Sequence, residues 1–394
     1  MQQSSISKTA TRTHTIARST RRFVALDSLR GVCAILVAVH NFEYPQNSFV
    51  LHSSLFVDFF FVLSGFVITH AYMSRLATGS EFSAFIVRRL GRLWPLHVTM
   101  LIAFVCLDII KFAAASLTHA NFPVPPFAPP NSPIAIVSNL LLVQAVGIHT
   151  QVSWNAPSWS ISTEFWTYIL FAFLCISSRG RPPSVAITST LALSAAIVIL
   201  LLSPSYLETN TDYAMARCIY GFFVGHTVYR AIEMKKWKIS VGSTLEAMAV
   251  LLVFAFVWIS EGVVSIAAPI VFGCAVWVFA QESGHISKLL RTSPLVYLGD
   301  WSYSIYMVHW LIRNSIFVAV KFAMMLTGIR SATIHMPCDE RSCTWTMGAL
   351  LIGYLIAVII VASVTFRLIE QPSRRYFNQI ANNLRQNALA NRPA

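Results

Sequence analysis

The stretch LDSLRGVCAILVAVHNFE, residues 26–43, decides the class of the whole chain. It is a membrane-length apolar run with Arg30 just inside one end and His40 near the other. A helix rising about 1.5 Å per residue separates the two by roughly 15 Å, about half a bilayer core. A charged group and a titratable group inside lipid are costly, and such residues are kept for function. The expectation is a bundle of membrane helices that gathers further polar groups around this pair.

The composition agrees. Of 394 residues, 56% are hydrophobic and 11% charged, with a mean hydropathy of +0.62; ordinary chains carry about 25% charged residues. The apolar runs are long and continuous rather than short and alternating, which argues for helices and against an outer-membrane barrel. The fold class is therefore all-α, a polytopic transmembrane helical bundle. About ten spans account for it: 27–44, 55–73, 94–116, 162–177, 186–203, 214–231, 242–259, 263–281, 299–322 and 347–367.

The net charge of +13 writes topology rather than a nucleic-acid site, because the basic residues sit in short segments between spans. With the N-terminus inside, 23 of the 29 lysines and arginines fall on the inner side, so both termini are expected in the cytoplasm. The first apolar run carries Arg30 and lacks a small-residue cleavage site, so it reads as a retained helix. The domain plan is a basic tail over 1–22, a transmembrane domain over 23–376 and a C-terminal tail over 377–394. PIAIVSNLLLVQAV, residues 133–146, is too short to span, and an eleventh span would invert every later loop. It reads as a re-entrant or interfacial segment after the extended, proline-rich FPVPPFAPPNSP. Convincing internal repeats are missing, which weakens a transporter reading. Cys338 and Cys343 share an outer loop and are candidates for a disulfide, whereas the other five cysteines read as small apolar residues in spans. With no CxxC pair of metal-ligand spacing, no metal is expected.

Several polar residues interrupt these spans. In LFVDFFFVLSGFVITHAY, residues 55–72, Asp58 lies at the level of His40, and the two together would make an oriented general base. A carboxylate there would equally suit the helix N-terminus. In RRLGRLWPLH, residues 88–97, Arg89 and Arg92 are three apart on one helix face at the inner loop, suited either to phospholipid contact or to docking phosphates. WNAPSWSISTEFWTYILF, residues 154–171, brings Glu164 into the first turn of a span, among Trp154, Trp159 and Trp166. Those tryptophans fit an interfacial belt or a stacking platform for a sugar ring. In LGDWSYSIYMVHWLIRN, residues 298–314, Ser302, Tyr306 and His309 form a polar stripe that should face the bundle interior, with Arg313 a turn further. FRLIEQPSRR, residues 366–375, reads as a helix terminus at which Glu370 pairs with an inner arginine.

Taken in order, these six pieces resemble the membrane-bound acyltransferase 3 family, over about residues 22–376. The resemblance implies transfer of an acyl group, commonly acetyl from acetyl-CoA, to a hydroxyl of a carbohydrate or similar acceptor. It implies a home in the bacterial inner membrane, among membrane lipids. The co-substrate is acyl-CoA, with no bound cofactor. Carried over by position, the family's arginine-to-histidine motif falls on Arg30 and His40, its paired arginines on Arg89 and Arg92, its acidic residue on Glu164 and its serine–tyrosine-stretch histidine on His309. This chain departs from the family in one respect. Nine residues rather than ten separate Arg30 from His40, and Asn41 occupies the usual histidine position. Ten steps leave two side chains about 80° apart on a regular helix, so either a local bulge or a shifted role for His40 is expected.

The sequence thus nominates His40, Asp58 and Glu164 for chemistry, and Arg30, Arg89, Arg92, Trp159, Tyr306 and His309 for binding acyl-CoA or a carbohydrate or lipid-linked glycan acceptor. In that reading the arginines hold the donor's phosphates at the cytoplasmic face and the acyl arm threads inward toward His40. Some members of the family it resembles carry a fused hydrolase-like domain; with about 27 residues after the last expected span, this chain is expected to act alone or with a separate partner. Competing readings are a glycan or lipid transporter, an acyltransferase of a small glycosylated or macrolide-like molecule, and a scaffold component without catalysis.

Overall fold

The computed structural model describes residues 21–42, 44, 47–118, 122, 124–178, 182–235, 242–326 and 340–390. Among them there is no strand, and the chain runs through fifteen α-helices. In order these are α1 (Val24–Phe42), α2 (Ser48–Leu51), α3 (Phe56–Tyr72), α4 (Gly79–Thr118) and α5 (Pro133–Leu140). Next come α6 (Trp159–Ser177), α7 (Val185–Leu202), α8 (Ala214–Lys235), α9 (Ser243–Ile259) and α10 (Ala268–Phe279). The last five are α11 (His285–Leu290), α12 (Ser293–Asp300), α13 (Ser302–Leu326), α14 (Glu340–Thr365) and α15 (Gln371–Ala390).

Seven segments of the described chain are long and apolar enough to cross a membrane: those built on α1, α3, α4, α6, α7, α10 and α14. The other three expected spans exist as helices but fall outside that set. At 17 residues α9 is short, while α8 and α13 carry Arg217, His226 and Arg230, and His309, Arg313 and Lys321, which lower their hydropathy. Cys338, and the side chain of Cys343, lie outside the described residues, as does most of the basic tail over 1–22.

Two close helix crossings position the site. At the first, α1 passes α12 with backbone nearly against backbone. A Cβ on Gly31 would sit 2.5 Å from the Leu298 carbonyl carbon, and one on Gly299 would sit 2.5 Å from the Asp27 oxygen. Arg22 staples the same crossing, reaching Asp27 at 2.8 Å and Asp300 at 2.6 Å. At the second, a Cβ on Gly65 of α3 would meet the Phe222 oxygen of α8 at 1.8 Å, and one on Gly225 would meet the Val62 oxygen at 1.8 Å. Small residues permit this approach, and dispersion between the closely packed backbones replaces the hydrophobic drive that lipid does not supply.

Three local expectations are revised. The stretch RRLGRLWPLH is helix rather than loop: α4 runs 40 residues through Pro95, about 60 Å at the usual rise and twice a bilayer core. Its first half therefore extends beyond the apolar layer and carries the arginines on a rigid rod. FRLIEQPSRR does not end a helix. Phe366–Glu370 form a π-helical turn that leads directly into α15, with Pro372 tolerated in the first turn of the new helix. The tail expected over 377–394 is, as far as residue 390, part of α15, tied to α4 by Arg88 to Asn382 at 2.7 Å and Arg385 to Glu81 at 3.6 Å. The segment 133–146 begins with the eight-residue helix α5 and continues in turns.

A candidate active site in two chambers

Arg30, Arg89 and Arg92 line one cavity of about 730 Å³, part of it open to solvent, together with Glu164, Ser64, Tyr168 and Ser302. Arg30 reaches it from α1, its Nε donating to Ser302 Oγ at 2.7 Å and an Nη to the Gly299 carbonyl at 3.4 Å. The α1–α12 crossing sets this geometry. Arg89 donates to the Tyr72 hydroxyl at 3.1 Å. Its guanidinium lies 5.1 Å from the Tyr72 ring, 5.8 Å from Phe85 and 5.9 Å from Tyr168, and its Nε is buried without a partner. Arg92 makes no hydrogen bond or ion pair among the described residues. Glu164 accepts from Ser64 Oγ at 2.6 Å and, in a shorter contact, from the Tyr168 hydroxyl. Three cations with spare donors face a single carboxylate. Such a chamber suits a ligand with several phosphate oxygens.

Just behind this cavity the π-helical turn pushes Glu370 inward to 3% exposure. There it accepts from Ser304 at 2.8 Å and meets Arg374 at 3.5 Å. The arginine expected to pair with Glu370 is therefore Arg374, one helical turn along.

A second cavity of about 460 Å³ is lined by His40, Asn41, Ser54, Trp159, Asn210 and Arg217 among others. The Nδ1 of His40 lies 2.9 Å from the Val50 carbonyl. A carbonyl can only accept, so Nδ1 carries the proton and a neutral ring keeps Nε2 as a bare lone pair. That is the protonation pattern of a general base. α1 is regular helix throughout Val24–Phe42, so no bulge restores the usual face. Arg30 and His40 line different chambers, and Asn41, at the usual histidine position, lines the same chamber as His40 while its Nδ2 donates to the Val37 carbonyl at 2.9 Å.

Asp58 does not pair with His40. Both its oxygens are taken by Arg217, at 2.7, 3.0 and 3.2 Å, and the two residues are 0% and 1% exposed. Arg217 also donates to the Thr209 carbonyl at 3.0 Å and sits 5.1 Å from the Trp159 ring. The expected dyad is replaced by an ion pair whose forked geometry leaves neither carboxylate oxygen to an imidazole. Nor does Glu164 join His40: it belongs to the arginine chamber. The tryptophans do not form a belt, since Trp154 and Trp159 are buried and only Trp166 is exposed.

The polar stripe of α13 does face inward, with Ser302, Tyr306 and His309 all buried. Tyr306 and Val57 line both chambers. His309 lies beside Tyr306, ring centroids 5.8 Å apart, with both ring nitrogens buried and unpartnered. Reading the sequence for site residues missed Arg217, Ser64, Tyr168 and Ser160. For Arg217 the signal was present, an arginine inside an apolar span. For Tyr168 it was the i, i+4 spacing from Glu164. The two serines carry no comparable mark.

A family model described as "Acyltransferase domain" matches residues 23–367. The acyltransferase MdmB of Streptomyces mycarofaciens is 24% identical over 389 residues, covering 90% of this chain and 93% of its own. Protein 2 in the picA locus of Rhizobium radiobacter is 30% identical over 155 residues, covering 38% of this chain and 81% of its own. The peptidoglycan O-acetyltransferase OatA of Listeria monocytogenes is 24% identical over 386 residues, 91% of this chain but 57% of its own length. No solved structure matches.

Proposed function

The chain belongs to the acyltransferase-domain family, and from that premise we propose that it transfers an acyl group, acetyl in the simplest case, from acyl-CoA to a hydroxyl of a cell-envelope carbohydrate or similar acceptor. One observation carries the reading: an arginine chamber adjoins a second chamber lined by His40, whose Nδ1 is taken up by the Val50 carbonyl. The three arginines hold the phosphates of the donor, and the charge census supports a cytoplasmic mouth for this chamber in an inner membrane. The pantetheine arm carries the thioester toward the second chamber. There the acceptor hydroxyl gives its proton to His40 Nε2 while its oxygen forms the ester bond to the acyl carbon. The thioester C–S bond breaks, and the proton passes to the departing thiolate, so His40 ends unprotonated as it began.

The remaining groups have supporting parts in this proposal. The Val50 carbonyl fixes the His40 tautomer, and Trp159 offers a ring face to a sugar. His309, which lines neither chamber, backs the Tyr306 ring. Asp58 acts through Arg217 and shapes the acceptor chamber. Glu164, held by Ser64 and Tyr168, keeps the arginine chamber from being purely cationic. Transfer of label from [acetyl]-CoA to an extract of envelope glycans, by the purified chain in lipid, tests the reading. Label should move with the wild type. Failure to move to any acceptor, or equal transfer by His40→Ala, overturns it.

A further inference from the structure

We propose that Tyr306 is a septum between the two chambers, and that the gap between its ring and Val57 sets which acyl group reaches His40; this rests on the acyltransferase reading above. Tyr306 and Val57 are the residues that line both cavities. They stand on different helices, α13 and α3, each almost fully buried. The ring is held in place rather than free to swing. Its hydroxyl donates to the Pro157 carbonyl at 2.8 Å and shares a hydrogen bond with Ser160 Oγ at 2.8 Å, and the Phe60 ring meets it edge-on at 5.7 Å. Pro157 lines the His40 chamber and Ser160 the arginine chamber. The hydroxyl latch is thus anchored on both sides of the boundary.

This arrangement has two chemical consequences. A thioester arriving from the arginine chamber passes the ring edge, so each added methylene presses on a pinned aromatic rather than on a flexible chain. Apolar walls of this kind discriminate by about 10- to 200-fold per methylene at most. The same ring narrows the path by which water of the acceptor chamber reaches a thioester still in the arginine chamber. A loosened septum would let water take the place of the acceptor hydroxyl, forming the free acid and CoA thiol.

The test compares acetyl-CoA with butyryl-CoA in the full chain reconstituted in lipid, reading CoA thiol release and acyl transfer to N-acetylglucosamine oligosaccharides. Wild type should prefer acetyl. Tyr306→Ala should lower that preference by about 10-fold or more, and Tyr306→Phe, which loses only the latch, should raise acceptor-independent thiol release. Val57→Ala widens the gap from the opposite helix and should shift the preference in the same direction, which covers a failure of Tyr306→Ala to fold. A readout that needs no turnover separates the septum from the catalytic reading. Val67→Cys, in the arginine chamber, should react with an impermeant maleimide from one membrane face, and from both faces once Tyr306→Ala or Val57→Ala is added. An unchanged acetyl preference in both variants, or labelling from both faces with Tyr306 and Val57 intact, overturns the septum. A wild type that transfers nothing yet gates the label overturns the acyltransferase reading alone.

Discussion

The two chambers treat charge in opposite ways. In the arginine chamber the cations are under-satisfied: Arg92 has no hydrogen bond or ion pair among the described residues, and Arg89 keeps a buried Nε without a partner. In the histidine chamber the one arginine, Arg217, is saturated by Asp58 and the Thr209 carbonyl. Spare donors in a partly desolvated site favour an incoming anion, whereas a closed ion pair presents no net charge. In the function proposed above, the first chamber holds the donor and the second carries the base. α1, α3, α6 and α13 contribute to both, while α4 brings Arg89 and Arg92 to the first and α8 brings Arg217 to the second.

The largest effect expected from breaking this contrast is at His40. His40→Ala should cut transfer by about 100- to 10,000-fold while retention of labelled acyl-CoA stays within error of wild type. If donor binding collapses as well, the chambers are not separate in function. Next comes the ion pair. Asp58→Ala leaves Arg217 charged and buried, which costs about 3–5 kcal/mol; thermal unfolding in detergent should report it as a clear loss. Replacing both partners with apolar residues of similar volume should recover most of that loss, since the pair is stabilised by mutual compensation rather than by net gain.

A smaller effect belongs to the arginine chamber. Arg92→Ala removes a charge-assisted contact of about 1.5–3 kcal/mol, so KM for acyl-CoA should rise roughly 10-fold or more with kcat little changed. Arg92→Lys should restore only part, because an ammonium lacks the planar fork. A fall in kcat at constant KM would assign Arg92 to the chemistry and blur the comparison. The smallest change is Tyr168→Phe, which removes one of the two hydrogen bonds held by Glu164. About 0.5–1.5 kcal/mol is expected, seen as a modest rise in KM for the donor.

Much of the arginine chamber was legible in the sequence. Arg89 and Arg92 lie three apart, which puts them on one face of any helix, and Glu164 interrupts an apolar run near its start. The stripe of Ser302, Tyr306 and His309 was readable for the same reason, since polar side chains in a span turn away from lipid. The histidine chamber was harder. The pairing of Asp58 with His40 followed from similar depth, yet depth does not choose a neighbour. Arg217 stands 159 residues further along the chain, and only the glycine-to-backbone crossing of α3 with α8 brings it to Asp58.

By itself, then, the sequence determined the class, because a period of about 3.6 residues and the exclusion of polar groups from lipid act locally. It determined which side chains would turn inward, and it showed the short spacing between Arg30 and His40. The tertiary structure alone decided what that spacing does. His40 and Asn41 both line the second chamber, so the short spacing leaves the histidine in the chamber that the usual position also reaches, while Arg30 lines the first. It also decided that Tyr306 stands between those chambers and that Glu370 is turned inward by a widened helical turn. These outcomes depend on which helices cross and how closely. That is a balance of packing among segments far apart in the chain, and no local pattern records it.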